Sequence, residues 1–364
     1  MFQNDHKCKV LALYLPQYHQ IPENDAWWGE GFTEWNVVKA AKKISKYTCH
    51  PKVPLDGYYD LSDVKSIKRQ AELARKHGVD GFVMYSYYSN GQTLLEKPSQ
   101  LLLENPDIDI QYCFSWANHD WRRTWFSYNK ELLREQKYAQ SEQDLEMHFQ
   151  YLLPFFKDPR YIRYDGKPVM VIYNTHEFSD IKRYRETWNK LAVQAGLGGI
   201  WFVQTLGGKV VTWDKENFDA CFDFEPTYTL YSYMGKYFII NRIRRAIGRR
   251  IKANWVARYF NYNTVCRIME KNASDDPNHW LGSFAGWDNT PRHSVNGTVY
   301  THFSMKRFAK NFKHQLKKSI DGGKPFLILD AWNEWGEGAF LEPDEQYGYE
   351  KLETICKVVN EINN

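Results

Sequence analysis

Eight short apolar runs recur along the chain, each followed by a segment long enough for a helix, and this alternation restricts the fold more than any other feature. The runs are 10–14, 81–85, 111–116, 168–173, 199–204, 220–224, 283–287 and 325–331. Several are nearly continuous in apolar residues, as parallel strands covered on both faces must be. The clearest helix between them follows Ser62 and Asp63, with Val64, Ile67, Ala71 and Ala74 on one face and Gly78 just past its end. Further helices are expected over 93–103, 141–152, 181–195, 303–320 and 351–362. The pattern predicts an α/β protein of the (β/α)₈ or TIM-barrel class, closed by a C-terminal helix. The seventh run is only weakly apolar, which leaves a doubly wound open sheet as the alternative.

With 364 residues the chain fits one barrel domain spanning 1–364. Two long connections break the rhythm. One follows the first strand, over 16–60, and is rich in Trp, Tyr, Pro and Gly; the other follows the sixth strand as an insertion at about 226–281. A 43% hydrophobic and 25% charged composition is that of a soluble globular protein, and no stretch approaches the ~20 apolar residues of a membrane span. The polar start MFQNDHKCK, with only a short apolar run behind it, gives no secretory signal. Six scattered cysteines (Cys8, Cys49, Cys113, Cys221, Cys266, Cys356) form neither a zinc pattern nor a disulfide framework, so a reducing, cytoplasmic location is expected.

Aromatic residues make up 16% of the chain, with 14 Trp, 25 Tyr and 21 Phe, and they gather just beyond the predicted strands. In a barrel those positions build the active site. After the first strand come Tyr14, Tyr18, Trp28, Glu34, Trp35 and Asn36; after the second, Tyr85 and Tyr87; after the third, Trp116, Asn118, Asp120, Trp121 and Arg122. The fourth, fifth and sixth end at Tyr173, Gln204 and Glu225, and the seventh at Trp287, Asp288 and Arg292. Rings beside amides, carboxylates and guanidinium groups suit a sugar, whose C–H faces stack on aromatics while its hydroxyls need directional partners. The competing reading is that the rings only fill the barrel rim.

The sharpest constellation lies after the eighth strand: Trp332-Asn333-Glu334-Trp335-Gly336-Glu337-Gly338. Two carboxylates three residues apart in a glycine-containing turn can face one cavity, and cleavage of a glycosidic bond commonly uses two. Trp332 and Trp335 beside them would desolvate a carboxyl and raise its pKa.

The motifs YLPQYH (14–19), GFTEWNVV (31–38), WANHDWRRTW (116–125), GWDNTPR (286–292) and WNEWGEG (332–338) together resemble the WbsX-like family of polysaccharide-biosynthesis proteins. That family is related to the glycoside hydrolases that contain endo-α-1,2-mannosidases, and the likeness runs from about Lys9 to Gly348. It implies a (β/α)₈ barrel, a site without a metal or other cofactor, and Glu334 and Glu337 as catalytic residues. It also implies a mechanism in which one carboxylate deprotonates the substrate's own 2-hydroxyl, forming a 1,2-anhydro sugar, while the other protonates the leaving oxygen. By that analogy Glu334 is the base and Glu337 the acid, the other motif residues form sugar subsites, and the substrate is an oligosaccharide or lipid-linked glycan of O-antigen or capsule metabolism. A glycan-binding barrel without turnover, scaffolding lipopolysaccharide assembly at the membrane, is the alternative; two glutamates in the motif argue against it.

No Gly-rich phosphate loop occurs, and the one Asp-x-Asp pair, Asp107-Ile-Asp109, precedes the third strand, at the wrong end of a barrel. The net charge of +4 hides a strong asymmetry. Residues 236–258 hold eight Lys or Arg and no acid, the 303–320 helix adds six more, and the remainder carries −10. Ile239, Ile240, Ile243, Ile247 and Ile251 recur at helical spacing among the arginines, the pattern of a basic amphipathic helix. Peripheral contact with an anionic membrane through 236–258 is one expectation. An isoleucine face packed on the barrel with arginines in water is the other. Acidic and aromatic strand ends argue against nucleic acid.

Overall fold

In the computed structural model, which describes residues 7–89, 91–123, 131–251 and 256–363, eight parallel strands close into a barrel. They are β1 (Lys9–Tyr14), β2 (Gly81–Ser89), β3 (Gln111–Trp116), β4 (Lys167–Ile172), β5 (Trp201–Leu206), β6 (Ala220–Asp223), β7 (His279–Phe284) and β8 (Phe326–Asp330). Each pairs with its neighbours in order, and β1 pairs with both β2 (Leu11 opposite Gly81) and β8 (Leu11 opposite Ile328), so the sheet has no open edge. Closure overturns the doubly wound alternative.

Seven of the eight expected runs coincide with strands, and the seventh is displaced toward the N-terminus. It begins at His279 and carries Gly282, where the backbone carbonyl of Asp223 and the side chain of Glu225 on the adjacent β6 segment leave no room for a Cβ. A histidine and a glycine interrupt the apolar signal that marks the other strands, which is why the sequence places this one too late.

Helices cover the outside. Val64–Lys76 is capped by the Asp63 carboxylate, which accepts from Lys65 N, and it buries Ile67, Gln70, Ala71 and Ala74; Gly78 follows with φ +83°. The expected 141–152 helix runs Glu142–Lys157 behind a capping box from Ser141 and Asp144, a device worth about 1 kcal/mol. Ile181–Gln194, Met305–Asp321 and Glu350–Asn363 lie close to expectation. The 93–103 helix is shorter than expected: Gln92–Leu94 is a strand hairpinned onto β2, and the helix is Lys97–Glu104. Asp107 and Asp109 face Lys68 (3.0 Å) and Arg75 (3.4 Å) on the Val64–Lys76 helix, at the N-terminal end of the barrel.

The first long connection contains two short helices, Pro22–Trp28 and Glu34–Ala40. The second contains helices Thr227–Tyr233, Gly235–Arg250 and Tyr262–Asn272, with strand Arg258–Asn261 paired to Thr298–Thr301. Both connections leave the C-terminal ends of their strands, so both build the same rim. Among the described residues no helix is long and apolar enough to cross a membrane.

Candidate active site

At that rim the strand ends enclose a cavity of about 460 Å³. Its walls hold the rings of Trp28, Tyr85, Tyr87, Trp121, Tyr173 and Trp287, and its polar groups include Asp120, Arg122, Arg292, Glu334 and Glu337. These eleven residues are the part of the expected set that the fold brings together around one space. The expected motif at 116–125 is described only to residue 123; Thr124 and Trp125 lie outside the described residues.

Arg292 organises the carboxylates. It sits in the short helix Thr290–His293 beyond β7, and its three nitrogens reach three different glutamates. Nε lies 2.7 Å from Glu34 Oε1, Nη2 lies 2.8 Å from Glu334 Oε2, and Nη1 lies 2.8 Å from Glu337 Oε1. Glu34, the first residue of its helix, approaches from behind the cavity wall, whereas Glu334 and Glu337 belong to the turn after β8. Gly336 makes the convergence possible, because a Cβ there would fall on Glu34 Oε1 and against Arg292 Nε. Gly338 closes the turn in the left-handed region at φ +60°.

Three carboxyl groups share one guanidinium, and two of them, Glu34 and Glu334, are buried. Burial pushes Glu334 up to about 8; Arg292 opposes the shift, while Glu337 and Glu34 add to it. Burial raises Glu34 as well. Asp330, at the end of β8, is lifted well above the ordinary aspartate value, first by burial and then by the charges of Glu337 and Glu334. Glu225 is raised to about 8 by burial and by Asp223 while accepting from Thr229 N and Oγ1. Among the described residues no group of three or more His, Cys, Asp or Glu is arranged to hold a metal ion. Where three glutamates do converge, a guanidinium fills the centre.

The remaining expected residues stand around the cavity rather than on it. Asn333 spans the backbone of Leu15, accepting from its N–H at 2.7 Å and donating to its carbonyl at 2.9 Å, which locks the β8 turn to the end of β1. The Tyr18 hydroxyl donates to Asn333 O (2.6 Å) and accepts from Trp335 N (3.2 Å). Trp335 turns away from the cavity, stacks on Phe340 at 3.8 Å and donates to Glu342 at 2.7 Å; Trp332 is wholly buried against Phe82. Neither tryptophan lines the space in front of Glu334 and Glu337.

Tyr14 donates to Gln70, Trp35 to the Tyr59 carbonyl, and Trp116 to the Tyr88 carbonyl. Asn118 holds both backbone groups of Asn174, joining the loops after β3 and β4. Asn36 completes a capping box with Thr33, and Gln204 accepts from Asp214 N. Asp288 accepts from Thr290 and meets His50 Nε2 at 2.8 Å. Each of these polar groups is satisfied by the protein itself, the usual condition of a buried polar side chain.

The cavity also holds residues the sequence reading passed over. Gln17 donates to the Tyr87 hydroxyl at 2.9 Å and leaves its own Oε1 buried without a partner. His119 stands beside Tyr173, is held below its ordinary pKa by burial, and has an unpartnered Nδ1. Both lie inside motifs already quoted, so position beyond a strand was their available signal. Phe224, Thr227 and Leu133 carry none.

A closed parallel barrel whose C-terminal mouth gathers paired carboxylates and aromatic rings is the architecture of a carbohydrate-active enzyme. The chain belongs to the glycosyltransferase WbsX family, whose profile matches residues 10–355. It is 31% identical over 351 residues to the uncharacterized protein WxcX of Xanthomonas campestris pv. campestris, covering 94% of this chain and 48% of that protein, so the chain spans about half the length of the curated relatives it matches. Among solved structures it superposes on the GH99 endo-alpha-mannosidase of Bacteroides thetaiotaomicron, with TM-scores of 0.56 and 0.57 for two structures, 16% and 14% identity and 97% of each chain covered. A glycoside hydrolase-like protein aligns with TM-score 0.55 and 12% identity, covering 98% of this chain and 95% of its own. At these identities the structural likeness speaks for the fold.

Proposed function

We propose that this protein breaks or transfers a glycosidic bond in an oligosaccharide or lipid-linked glycan of bacterial O-antigen or capsule metabolism, acting in the cytoplasm without a cofactor. One observation carries the reading: Glu334 and Glu337 are held on adjacent arms of the Arg292 guanidinium, at the wall of a cavity lined with seven aromatic rings. Rings stack on the faces of a sugar, and Asp120 and Arg122 at the open side offer hydroxyl partners. The fold shared with endo-alpha-mannosidases gives the chemistry its pattern.

In that pattern Glu334, the deeper carboxylate, takes the proton of the 2-hydroxyl of an α-mannoside-like sugar. The freed oxygen attacks the anomeric carbon from the face opposite the leaving group, forming a 1,2-anhydro sugar, and the C1–O bond breaks. Glu337, whose side chain keeps 18% of its exposure against 8% for Glu334, gives its proton to the departing oxygen. Water or an acceptor hydroxyl then opens the anhydro ring with the two roles reversed. A carboxylate whose pKa is raised is a stronger base once ionised, which suits removal of a hydroxyl proton.

The test is turnover of α-mannosides and O-antigen fragments by the parent, Glu334→Gln and Glu337→Gln. Loss of at least about 100-fold in each variant, with glycan binding retained, is expected. Unchanged turnover in both variants would sink the assignment, and binding without turnover in the parent would make the barrel a glycan-binding scaffold.

A further inference from the structure

The Gly235–Arg250 helix presents its isoleucines outward. Ile239, Ile240, Ile243, Ile247 and Ile251 are 62%, 58%, 57%, 54% and 62% exposed, the reverse of an apolar face packed on the barrel. Two of the arginines between them, Arg244 and Arg245, turn inward. Arg244 donates to the Ala257 carbonyl and to Asn241 Oδ1, and Arg245 donates to the Val256 carbonyl (2.9 Å) and to Asn296 Oδ1 (2.9 Å). Asn241, buried on the same inner face, exchanges two hydrogen bonds with the backbone of Tyr259, at 2.9 and 3.0 Å. Polar contacts therefore fix the roll of the helix, and rotating the isoleucines inward would break all of them. Residues 252–255 of the basic stretch lie outside the described residues.

A contiguous row of exposed aliphatic side chains is costly in water and marks a surface that something covers. Its surroundings identify the occupant. Lys236, Arg242, Arg249 and Arg250 are exposed on the same helix, and no acidic residue occurs between Glu225 and Glu270. Two copies of this face laid together would oppose like charges with no carboxylate to pair them. A bilayer rich in anionic lipid satisfies both halves, taking the isoleucines among its acyl chains and the basic residues among its headgroups. Tyr231 and Tyr233, 52% and 41% exposed on the preceding helix, supply rings with a polar edge of the kind that settles at headgroup depth.

We propose that this isoleucine face is an interfacial anchor that inserts into anionic membrane and sets the cavity mouth against the lipid surface. The insertion leaves the C-terminal end of β6, and Thr227, on the helix just before it, lines the cavity. The inference deepens the lipid-linked substrate of the proposed function and names the surface that would meet it; the anchor itself is independent of the glycan chemistry.

The full chain is sedimented with vesicles of equal parts phosphatidylglycerol and phosphatidylethanolamine, and with phosphatidylcholine vesicles. Binding to the anionic vesicles alone is expected, weakened by salt, and reduced by more than about tenfold in Ile243→Ser/Ile247→Ser, whose changes lie on the surface and leave circular dichroism and melting unchanged. Arg242→Glu/Arg250→Glu should weaken binding comparably. An environment-sensitive dye on Ile247→Cys should shift to the blue on vesicle addition. Absence of binding to anionic vesicles overturns the anchor, as does binding that the isoleucine changes leave intact. So does a self-associated parent that the same changes turn monomeric while vesicles bind neither form. Glu334→Gln should bind vesicles as the parent does, so failure of the glycan chemistry and failure of the anchor are read separately.

Discussion

Arg292 Nε lies 2.7 Å from Glu34 Oε1, an ion pair formed behind the cavity by a carboxylate with no solvent exposure at all. Glu34 takes the inner edge of the guanidinium and leaves both outer nitrogens for Glu334 and Glu337. Removing only the cation from such a cluster strands buried carboxylates, so Arg292→Met should cost about 3–5 kcal/mol in urea denaturation. Adding Glu34→Gln to that variant removes one stranded charge and should recover part of the loss. Strict additivity of the two changes would show that the pair is not energetically coupled.

The lift of Glu334 to about 8 fixes the shape of the pH profile. If Glu334 is the base it must be ionised in the free enzyme, and the rising limb of kcat/KM should lie near about 8. A profile whose falling limb is the one near about 8 instead assigns Glu334 as the acid and exchanges the two roles. Glu34→Gln takes a negative charge from the neighbourhood of Glu334, so the same limb should move to lower pH in that variant.

A second buried carboxyl speaks to stability rather than turnover. Glu342 accepts from Trp335 Nε1, the Tyr59 hydroxyl and Gln70 Nε2 at 2.7–2.8 Å, yet burial still holds it up to about 7, from 4.5. With the folded value above the unfolded one, its contribution is fully present below about pH 4.5 and is lost as pH rises through about 7. The loss is at most about 3 kcal/mol. Urea midpoints of the parent and Glu342→Gln, compared at about pH 5 and about pH 8, isolate it from the other raised carboxyls. The variant should show the smaller difference between the two pH values, and an equal difference would remove Glu342 from the account.

What the sequence revealed and what it hid follow from two periodicities. Strands buried on both faces write nearly continuous apolar runs, so the barrel was legible wherever no functional contact interrupted them; Gly282 marks the interruption in β7. In the WNEWGEG turn, residues Asn333–Glu334 pair antiparallel with Ala339–Phe340, and successive side chains in such a pairing point to opposite faces. Glu334 reaches the cavity and its strand neighbour Asn333 points into the protein, while Trp335 opens the tight three-residue helical turn Trp335–Glu337, which carries its ring away from the cavity and brings Glu337 back to the cavity wall. Adjacency in sequence made Trp335 look like a wall of the site. The basic helix poses the same problem at the helical period. Its two faces were legible, but which one turns inward depends on backbone carbonyls at 256, 257 and 259 and on the Asn296 side chain, contacts made across the fold.

Gly336 gives the most local test of the carboxylate cluster. Its missing side chain is the space that Glu34 Oε1 and Arg292 Nε occupy, whereas a Cβ at Gly166, in an exposed turn, would meet nothing. Gly336→Ala should therefore displace Glu34, tilt the guanidinium, and move Glu334 and Glu337 relative to a bound sugar. A shift of that kind at a reacting centre is expected to lower kcat by about 100-fold, against a stability loss of about 1–3 kcal/mol from overpacking. Gly166→Ala should leave kcat unchanged and lose only the smaller strain of its positive φ. In Gly336→Ala/Glu34→Ala the closer clash is gone and only the one with Arg292 Nε is left, but the inner anchor of Arg292 is gone as well, so stability should return part of the way toward the parent while kcat does not. Recovery of both would make Glu34 a spectator, and the cluster would then owe its geometry to Arg292 alone.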